Sequence, residues 1–393
     1  MPRIERCQAC AADRLTSFYE VKGIPVHSCL MVETRAAAAA FRKGDLELVF
    51  CEACGFIQNA AYDPGLQHYS PDYEETQAFS PRFMAFVDEL CADQDRKYRL
   101  AGKTALEIGC GKGEFLVALC ERTGCRGIGI DPGYRPERTA SPAADRLTFI
   151  QDFYGPRYAH LQADYVCCRH TLEHIGPVGD FMRLVRASIA DRPGVTVFFE
   201  LPDVERVLEE CAFWDIYYEH SSYFTLGSLA RLFRATGFDI HELWKAYDGQ
   251  YLMLESTPAT GQTAPRLAAE DDLARTQAQV ASFRARIGPT LERLRNDVLR
   301  WKAGNRRIAV WGSGSKAVSY LTTLGIGPMI DAVVDINPHK WGKFLAGTGN
   351  EIVGPAALTD IRPEVVVVMN PIYEAEITAD LHGRGLRPEI VML

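Results

Sequence analysis

The stretch Leu106-Glu107-Ile108-Gly109-Cys110-Gly111-Lys112-Gly113-Glu114-Phe115-Leu116 decides the fold. An apolar strand carries an acid near its end, the chain turns on three alternate glycines, and an apolar helix opens directly afterwards. Glycine at every second place lets the backbone approach a nucleotide-like ligand closely, because no Cβ stands in the way. The spacing Glu-x-Gly-x-Gly-x-Gly differs from the Gly-x-Gly-x-x-Gly of dinucleotide binders, which seats a pyrophosphate at the helix end; here an amino-acid moiety fits instead. Downstream, Ile128-Gly129-Ile130-Asp131 ends the next strand in an acid placed to accept hydrogen bonds from ribose hydroxyls. Glu107, Gly109, Gly111, Gly113 and Asp131 are therefore candidate cofactor-binding residues.

The rest of the 393-residue chain fits a globular protein: 47% apolar, 24% charged, with 43 basic against 51 acidic side chains and a formal charge of −8. At roughly 100–200 residues per domain, this length calls for two to four domains. The acidic balance and the lack of a Lys/Arg cluster argue against a nucleic-acid partner, whose phosphates demand concentrated positive charge. No apolar run approaches the ~18 residues of a membrane span, and Met1-Pro2-Arg3-Ile4-Glu5-Arg6-Cys7 holds no apolar leader core. A cytoplasmic location without a membrane partner is expected. Of the twelve cysteines, four fall in two tight pairs, Cys7-Gln-Ala-Cys10 and Cys51-Glu-Ala-Cys54-Gly55. Two thiolates on each of two knuckles close tetrahedrally on Zn²⁺, and four sulfurs leave no position for water or substrate, so the expected role is structural.

Around the glycine loop, short β-type runs at 104–108, 126–130, 165–168 and 195–200 alternate with helical patterns, the signature of a parallel sheet with crossover helices. A helix with Phe83, Phe86, Val87 and Leu90 on one face leads in from Ser80, and Ala36 to Ala40 suits a short helix. The alternation restarts after Arg307, with strands at 308–311, 332–334 and 365–369. Between the two, 257–263 is rich in Pro, Thr and Gly, and 267–302 reads as two charged amphipathic helices interrupted near Gly288-Pro289. The expected class is α/β: a zinc-binding module at 1–65, a Rossmann-like domain with a helical lead-in at 66–256, a helical connector at 257–302 and a C-terminal Rossmann-like domain at 303–393.

The glycine loop and Asp131 resemble the cofactor site of class I S-adenosylmethionine-dependent methyltransferases. Phe149-Ile150-Gln151-Asp152-Phe153 resembles the family's adenine-contacting segment, and Cys168-Arg169-His170-Thr171-Leu172-Glu173-His174-Ile175 its motif after the fourth strand. The resemblance implies S-adenosylmethionine as cofactor and adds Asp152, Phe153 and His170 to its candidate ligands.

After the strand at 196–202, the segment Ala212-Phe213-Trp214-Asp215-Ile216-Tyr217-Tyr218-Glu219-His220-Ser221-Ser222-Tyr223-Phe224 concentrates titratable and aromatic groups. Methyl transfer to carbon needs a base to remove the substrate proton, a donor for the resulting enolate and an apolar wall that excludes water. His220 offers the base, the tyrosines offer donors, and Glu219 can orient His220 or a substrate hydroxyl. The segment equally suits an aromatic core strand with a satisfied histidine. The order of cysteine knuckles, methyltransferase domain, Tyr-x-Glu-His segment and second α/β domain resembles the zinc-containing nucleotide-sugar C-methyltransferases of deoxysugar biosynthesis. That resemblance implies catalytic roles for Tyr217, Glu219 and His220, with histidine as base, and for a further tyrosine matching Tyr73 in His68-Tyr69-Ser70-Pro71-Asp72-Tyr73-Glu74-Glu75. It also implies a nucleotide-linked keto-deoxysugar as the small-molecule substrate. Here Tyr73 is followed by Glu74-Glu75-Thr76-Gln77, where the sugar enzymes often carry serines.

A second loop, Trp311-Gly312-Ser313-Gly314-Ser315-Lys316-Ala317, imitates a dinucleotide fingerprint, with Asp335 about twenty residues later. Backbone amides at the helix start and Lys316 suit a diphosphate whether or not nicotinamide is attached. Gly312, Ser313, Ser315, Lys316 and Asn370 are the candidate substrate-binding residues. NAD binding and a purely scaffolding role are the alternatives for this loop. An O- or N-methyltransferase acting on another small metabolite is the alternative for the whole chain.

Overall fold

In the computed structural model, residues 3–67, 72–190, 192–261 and 264–393 are described. The first two residues, 68–71 ahead of Tyr73, Asp191 and 262–263 of the Pro/Thr/Gly-rich stretch lie outside these.

Among the described residues three sheets organise the fold, and its class is α/β. The central one has seven strands in the order Phe238–Ala246, Tyr251–Pro258, Thr196–Pro202, Tyr165–Arg169, Thr104–Ile108, Arg126–Ile130 and Leu147–Ile150. The last five are parallel, and the first two form an antiparallel hairpin along one edge. Parallel strands covered by helices on both faces must be apolar throughout, which is why Thr196–Pro202 and Tyr165–Arg169 are buried along almost their whole length. The glycine loop follows Thr104–Ile108, the middle one of the five parallel strands, so it lies outside the carboxyl ends of the strands, where open α/β sheets bind ligands.

A five-stranded parallel sheet follows, in the order Ile352–Val353, Ala332–Val334, Ile308–Trp311, Val365–Val368 and Glu389–Met392. Between these two sheets runs one helix, Leu273–Ala303. The expected break at Gly288-Pro289 does not occur. Proline removes one bond to the carbonyl a turn earlier and crowds the residue before it, but that residue is glycine, with no Cβ to clash. The helix is held from outside: Val280, Phe283, Ile287, Leu294, Val298 and Trp301 recur at helical spacing and are buried. Phe283 meets Phe18 and Tyr19 edge-on at 5.9 and 5.5 Å, tying the helix to the N-terminal strand Leu15–Pro25.

The N-terminal sheet is antiparallel: Leu15–Pro25, Lys43–Cys51, Ile57–Asn59 and, as its fourth strand, Ser222–Tyr223. That last strand comes from the aromatic segment far along the chain, so this sheet is completed by residues next to His220. No helix among the described residues is long and apolar enough to cross a membrane.

Candidate active site

Three modules meet around one cavity of about 890 Å³. The glycine loop forms one wall. Gly109, Gly111 and Gly113 adopt φ of +74°, +53° and +87°, a region costly for other residues. A Cβ on Gly109 would stand 2.1 Å from Thr171 Oγ1, and one on Gly111 would stand 2.9 Å from Glu75 Oε1. Gly109 and Gly111 line the cavity. Gly113, also expected to bind cofactor, is absent from the cavity wall: it precedes the helix Glu114–Thr123, and a Cβ there would strike the Phe149 ring at 2.7 Å, so its bareness serves packing.

Charges along this wall fit a zwitterionic nucleoside. Glu107 is buried with Oε2 unpartnered, and burial, only partly offset by Arg169, pushes it up to about 8. An orphaned buried carboxyl is costly unless a ligand cation completes it. Asp131 accepts from the Gly111 and Gly133 N–H groups at 2.9 and 2.6 Å, and burial raises its pKa against these bonds. Two carboxylate oxygens offer about four acceptor positions, so both retain room for ribose hydroxyls. Asp152 is held by Tyr158 and Arg157, while Phe153 stands 60% exposed on the cavity wall, an uncovered face for a base to stack on. His170, at φ +47°, lies 2.9 Å from Glu200, which also holds Arg169 bidentately at 2.6 and 3.0 Å. Burial works against the charged imidazole, but Glu173 and Glu200 outweigh it and raise His170 to about 9.

The opposite wall carries the Tyr-x-Glu-His segment. Tyr217 and His220 face the cavity with ring centroids 4.1 Å apart, and Tyr73 joins them there. Tyr73 also lies edge-on to His27 at 6.0 Å. His174 stands 4.8 Å from His220, and its Nδ1 donates to the Glu219 carbonyl at 3.1 Å. Burial, with the charges of His174 and His170 adding to it, holds His220 well below the usual imidazole range, so it is neutral near pH 7. Burial pushes Tyr217 far up, keeping it a donor.

Glu219 is placed differently from expectation. It is fully buried, does not line the cavity, and its carboxylate faces the N-terminal module, where it accepts from Ser28 N–H at 3.0 Å, from Ser28 Oγ and from His27 Nδ1 at 3.4 Å. Burial opposes its charge, yet these donors hold it below the usual carboxylate range. Adjacent residues on an irregular turn diverge, so Glu219 and His220 point to opposite sides.

At the far end lie Gly312, Ser315, Lys316 and Asn370 of the C-terminal module. Lys316 Nζ pairs with Asp215 at 3.0 Å, and Asp215 also pairs with Arg206. Asn370 exchanges amide hydrogen bonds with Gln250 at 3.0 and 3.1 Å. Ser313, expected to touch substrate, is fully buried instead: its N–H and hydroxyl both donate to Asp335 Oδ2, at 3.0 and 2.5 Å. Asp335 also accepts from Asn337 N–H and Lys340 Nζ. The acid that would hold a nicotinamide dinucleotide's ribose is thus already surrounded by the chain's own donors.

Remote from the cavity chemistry, Cys7, Cys10, Cys51 and Cys54 gather their sulfurs within 4.8 Å of one another, with Cys7 to Cys54 at 3.6 Å and Cys10 to Cys51 at 3.7 Å. A zinc tetrahedron with 2.3 Å bonds needs sulfurs about 3.8 Å apart, so the donor set fits that ion.

Two family models match this chain in succession: a methyltransferase domain over residues 82–243 and a C-methyltransferase C-terminal domain over residues 253–385. The C-methyltransferase NovU of Streptomyces niveus is 25% identical over 95% of this chain and 91% of its own length. The chain belongs to the S-adenosylmethionine-dependent C-methyltransferases. Among solved structures, the magnesium protoporphyrin IX methyltransferase of Synechocystis PCC 6803 is 18% identical, matching 45% of this chain and 84% of its own with a TM-score of 0.34. A protein of Pyrococcus horikoshii matches 47% of this chain and 94% of its own at 16% identity, with a TM-score of 0.36. The C-methyltransferase uses S-adenosylmethionine, and Glu107, Gly109, Gly111 and Asp131 provide a wall suited to it.

Residues that sequence reasoning missed are those on the N-terminal loop, His27, Ser28 and Cys29, and Glu75 beside Gly111. Nothing local announces the first three: Ser28 meets a partner 191 positions away. Glu75 stood out only as an acid where the sugar enzymes often carry serine.

Proposed function

We propose that the methyl acceptor is the carbon next to a ketone of a nucleotide-linked deoxysugar, and that His220 is the base. The observation that carries this is the pairing of a buried, neutral imidazole with a protonated phenol, His220 and Tyr217, on the cavity wall opposite the glycine loop. S-adenosylmethionine, when bound, supplies an electrophilic methyl on a sulfonium. His220 takes the proton from carbon, Tyr217 donates to the oxygen on which enolate charge develops, and Tyr73 closes the same pocket against water. Arg169, His170, Glu173 and Glu200 form a charge-balanced base beneath it. Cofactor binding falls to Glu107, Gly109, Gly111, Asp131, Asp152, Phe153 and His170. The start of the helix Ser315–Leu324, with Ser315 and Lys316, takes the diphosphate. Cys7, Cys10, Cys51 and Cys54 hold a structural zinc.

The test is product NMR after incubation with S-adenosylmethionine and a panel of nucleotide-linked keto-deoxysugars. A new C–CH₃ next to the ketone supports the reading. An O–CH₃ or N–CH₃ product, or a panel that is inert while cofactor binds, refutes it.

A further inference from the structure

The turn that carries Tyr217 and His220 has almost no regular structure of its own. Residues 216–221 lie between a single helical turn ending at Asp215 and the two-residue strand Ser222–Tyr223, so few ladder hydrogen bonds fix their backbone. Their side chains divide between two directions. Tyr217 and His220 face the cavity, while Tyr218 and Glu219 are fully buried in the N-terminal module.

Both buried side chains are anchored. The Tyr218 hydroxyl accepts from Asp63 N–H at 2.8 Å and donates to the Asp63 carbonyl at 3.3 Å. Its ring lies over Gly44, where a Cβ would stand 2.4 Å from the ring, so the strand Lys43–Cys51 leaves a bare place for it. Glu219 is held by Ser28 and His27. Ser28 Oγ is also 2.7 Å from Ser315 Oγ. A serine hydroxyl donates one hydrogen, and the carboxylate is the stronger acceptor. Ser28 therefore donates to Glu219 and accepts from Ser315. The series Ser315, Ser28, Glu219 links all three modules, and each bond polarises the next. From Glu219 the backbone carbonyl takes the Nδ1–H of His174, whose ring stands 4.8 Å from that of His220.

We propose that the N-terminal module is the mould of the catalytic turn, with Ser28 and Tyr218 as positioning residues that aim His220 and Tyr217 at the reacting carbon. This rests on His220 being the base. The module thereby has a function in methyl transfer although its four clustered cysteines, Cys7, Cys10, Cys51 and Cys54, lie outside the cavity.

The test is steady-state kinetics of Ser28→Ala and Tyr218→Phe beside His220→Asn, with S-adenosylmethionine affinity measured by calorimetry. A misplacement of about 1 Å costs roughly 100-fold, so kcat should fall about 10- to 100-fold in the first two variants with cofactor Kd unchanged, and acceptor KM should also hold in Tyr218→Phe, which does not touch Ser315. Tyr218→Phe removes one hydroxyl and keeps the ring on Gly44, which preserves the test where Ser28→Ala lowers the melting temperature. Wild-type kcat in either folded variant, or a loss of cofactor affinity as large as the loss of kcat, overturns the proposal. If His220→Asn keeps wild-type turnover, the base assignment itself falls.

Discussion

Stripping the zinc proposed for the four-cysteine cluster should lower methyl transfer on the order of 100-fold and spare cofactor binding. A structural zinc contributes an apparent 10–16 kcal/mol or so in zinc-finger peptides at neutral pH. Whole domains are stable by only about 5–15 kcal/mol, so a small module that loses its ion has little left to hold it. Here packing offers some support, because Cys7, Cys51 and Cys54 are buried with Phe56, which meets Phe224 at 5.0 Å. That contact also transmits the damage. Ile57 and Gln58 pair with Tyr223 and Ser222, directly after the turn that carries His220. A shift of about 1 Å there predicts a kcat loss on the order of 100-fold. Cofactor Kd should change by less than about threefold, since the glycine loop belongs to another sheet. The assay is dialysis against a tight chelator, metal content by mass spectrometry, then single-turnover methylation and calorimetric titration of the same sample. Readded Zn²⁺ should restore turnover and Mg²⁺ should not. Undiminished methyl transfer by zinc-free protein would refute the reasoning.

Three further outcomes follow from the site. His220→Asn should lower kcat by about 10²- to 10⁴-fold, the usual span for losing a general base, with S-adenosylmethionine affinity intact by calorimetry. Gly109→Ala places a Cβ 2.1 Å from Thr171 Oγ1 at φ +74°. It should cost the loop about 1–2 kcal/mol in backbone strain alone and weaken cofactor binding more than tenfold, read by the same titration. Glu107 is raised from 4.5 to about 8. Between those values the folded chain binds a proton the unfolded chain has lost, so this group makes the cofactor-free protein less stable as pH rises toward about 8. The ammonium of S-adenosylmethionine favours the ionised carboxylate. Affinity should therefore climb with pH up to about 8, with proton release visible across buffers of different ionisation enthalpy, and Glu107→Gln should abolish that release.

The parts legible in sequence are those whose physics is local. Parallel strands buried on both faces read as apolar runs, so Thr104–Ile108, Arg126–Ile130, Ile308–Trp311 and Ala332–Val334 stand where the runs place them. The glycine loop is legible because a strand, a turn needing positive φ and a helix follow within eleven residues. Gly288-Pro289 misled because local breaking propensity is overruled by the packing of Phe283, Val298 and Trp301. Around Ser313 and Asp335 the pattern of a ribose-binding acid is present in the sequence, but in the fold that acid's partners are the chain's own donors, which lie too far along the chain for the pattern to show. The placement of Glu219 was illegible, since its side chain is turned by Ser28 and His27 across more than 190 positions. The edge strand Ser222–Tyr223 is two residues long, too short for any period to announce it.

The central claim is that His220 removes a proton from carbon beside a ketone, and solvent exchange tests it most directly. The accepted nucleotide-linked ketosugar would be incubated in deuterated water with enzyme and the demethylated cofactor product, so that deprotonation proceeds without methyl transfer, and followed by proton NMR. Wild-type enzyme should wash deuterium into the carbon that is otherwise methylated, and His220→Asn should not. Equal exchange by the two proteins, or methyl transfer by wild type with that carbon's proton retained, would contradict the account.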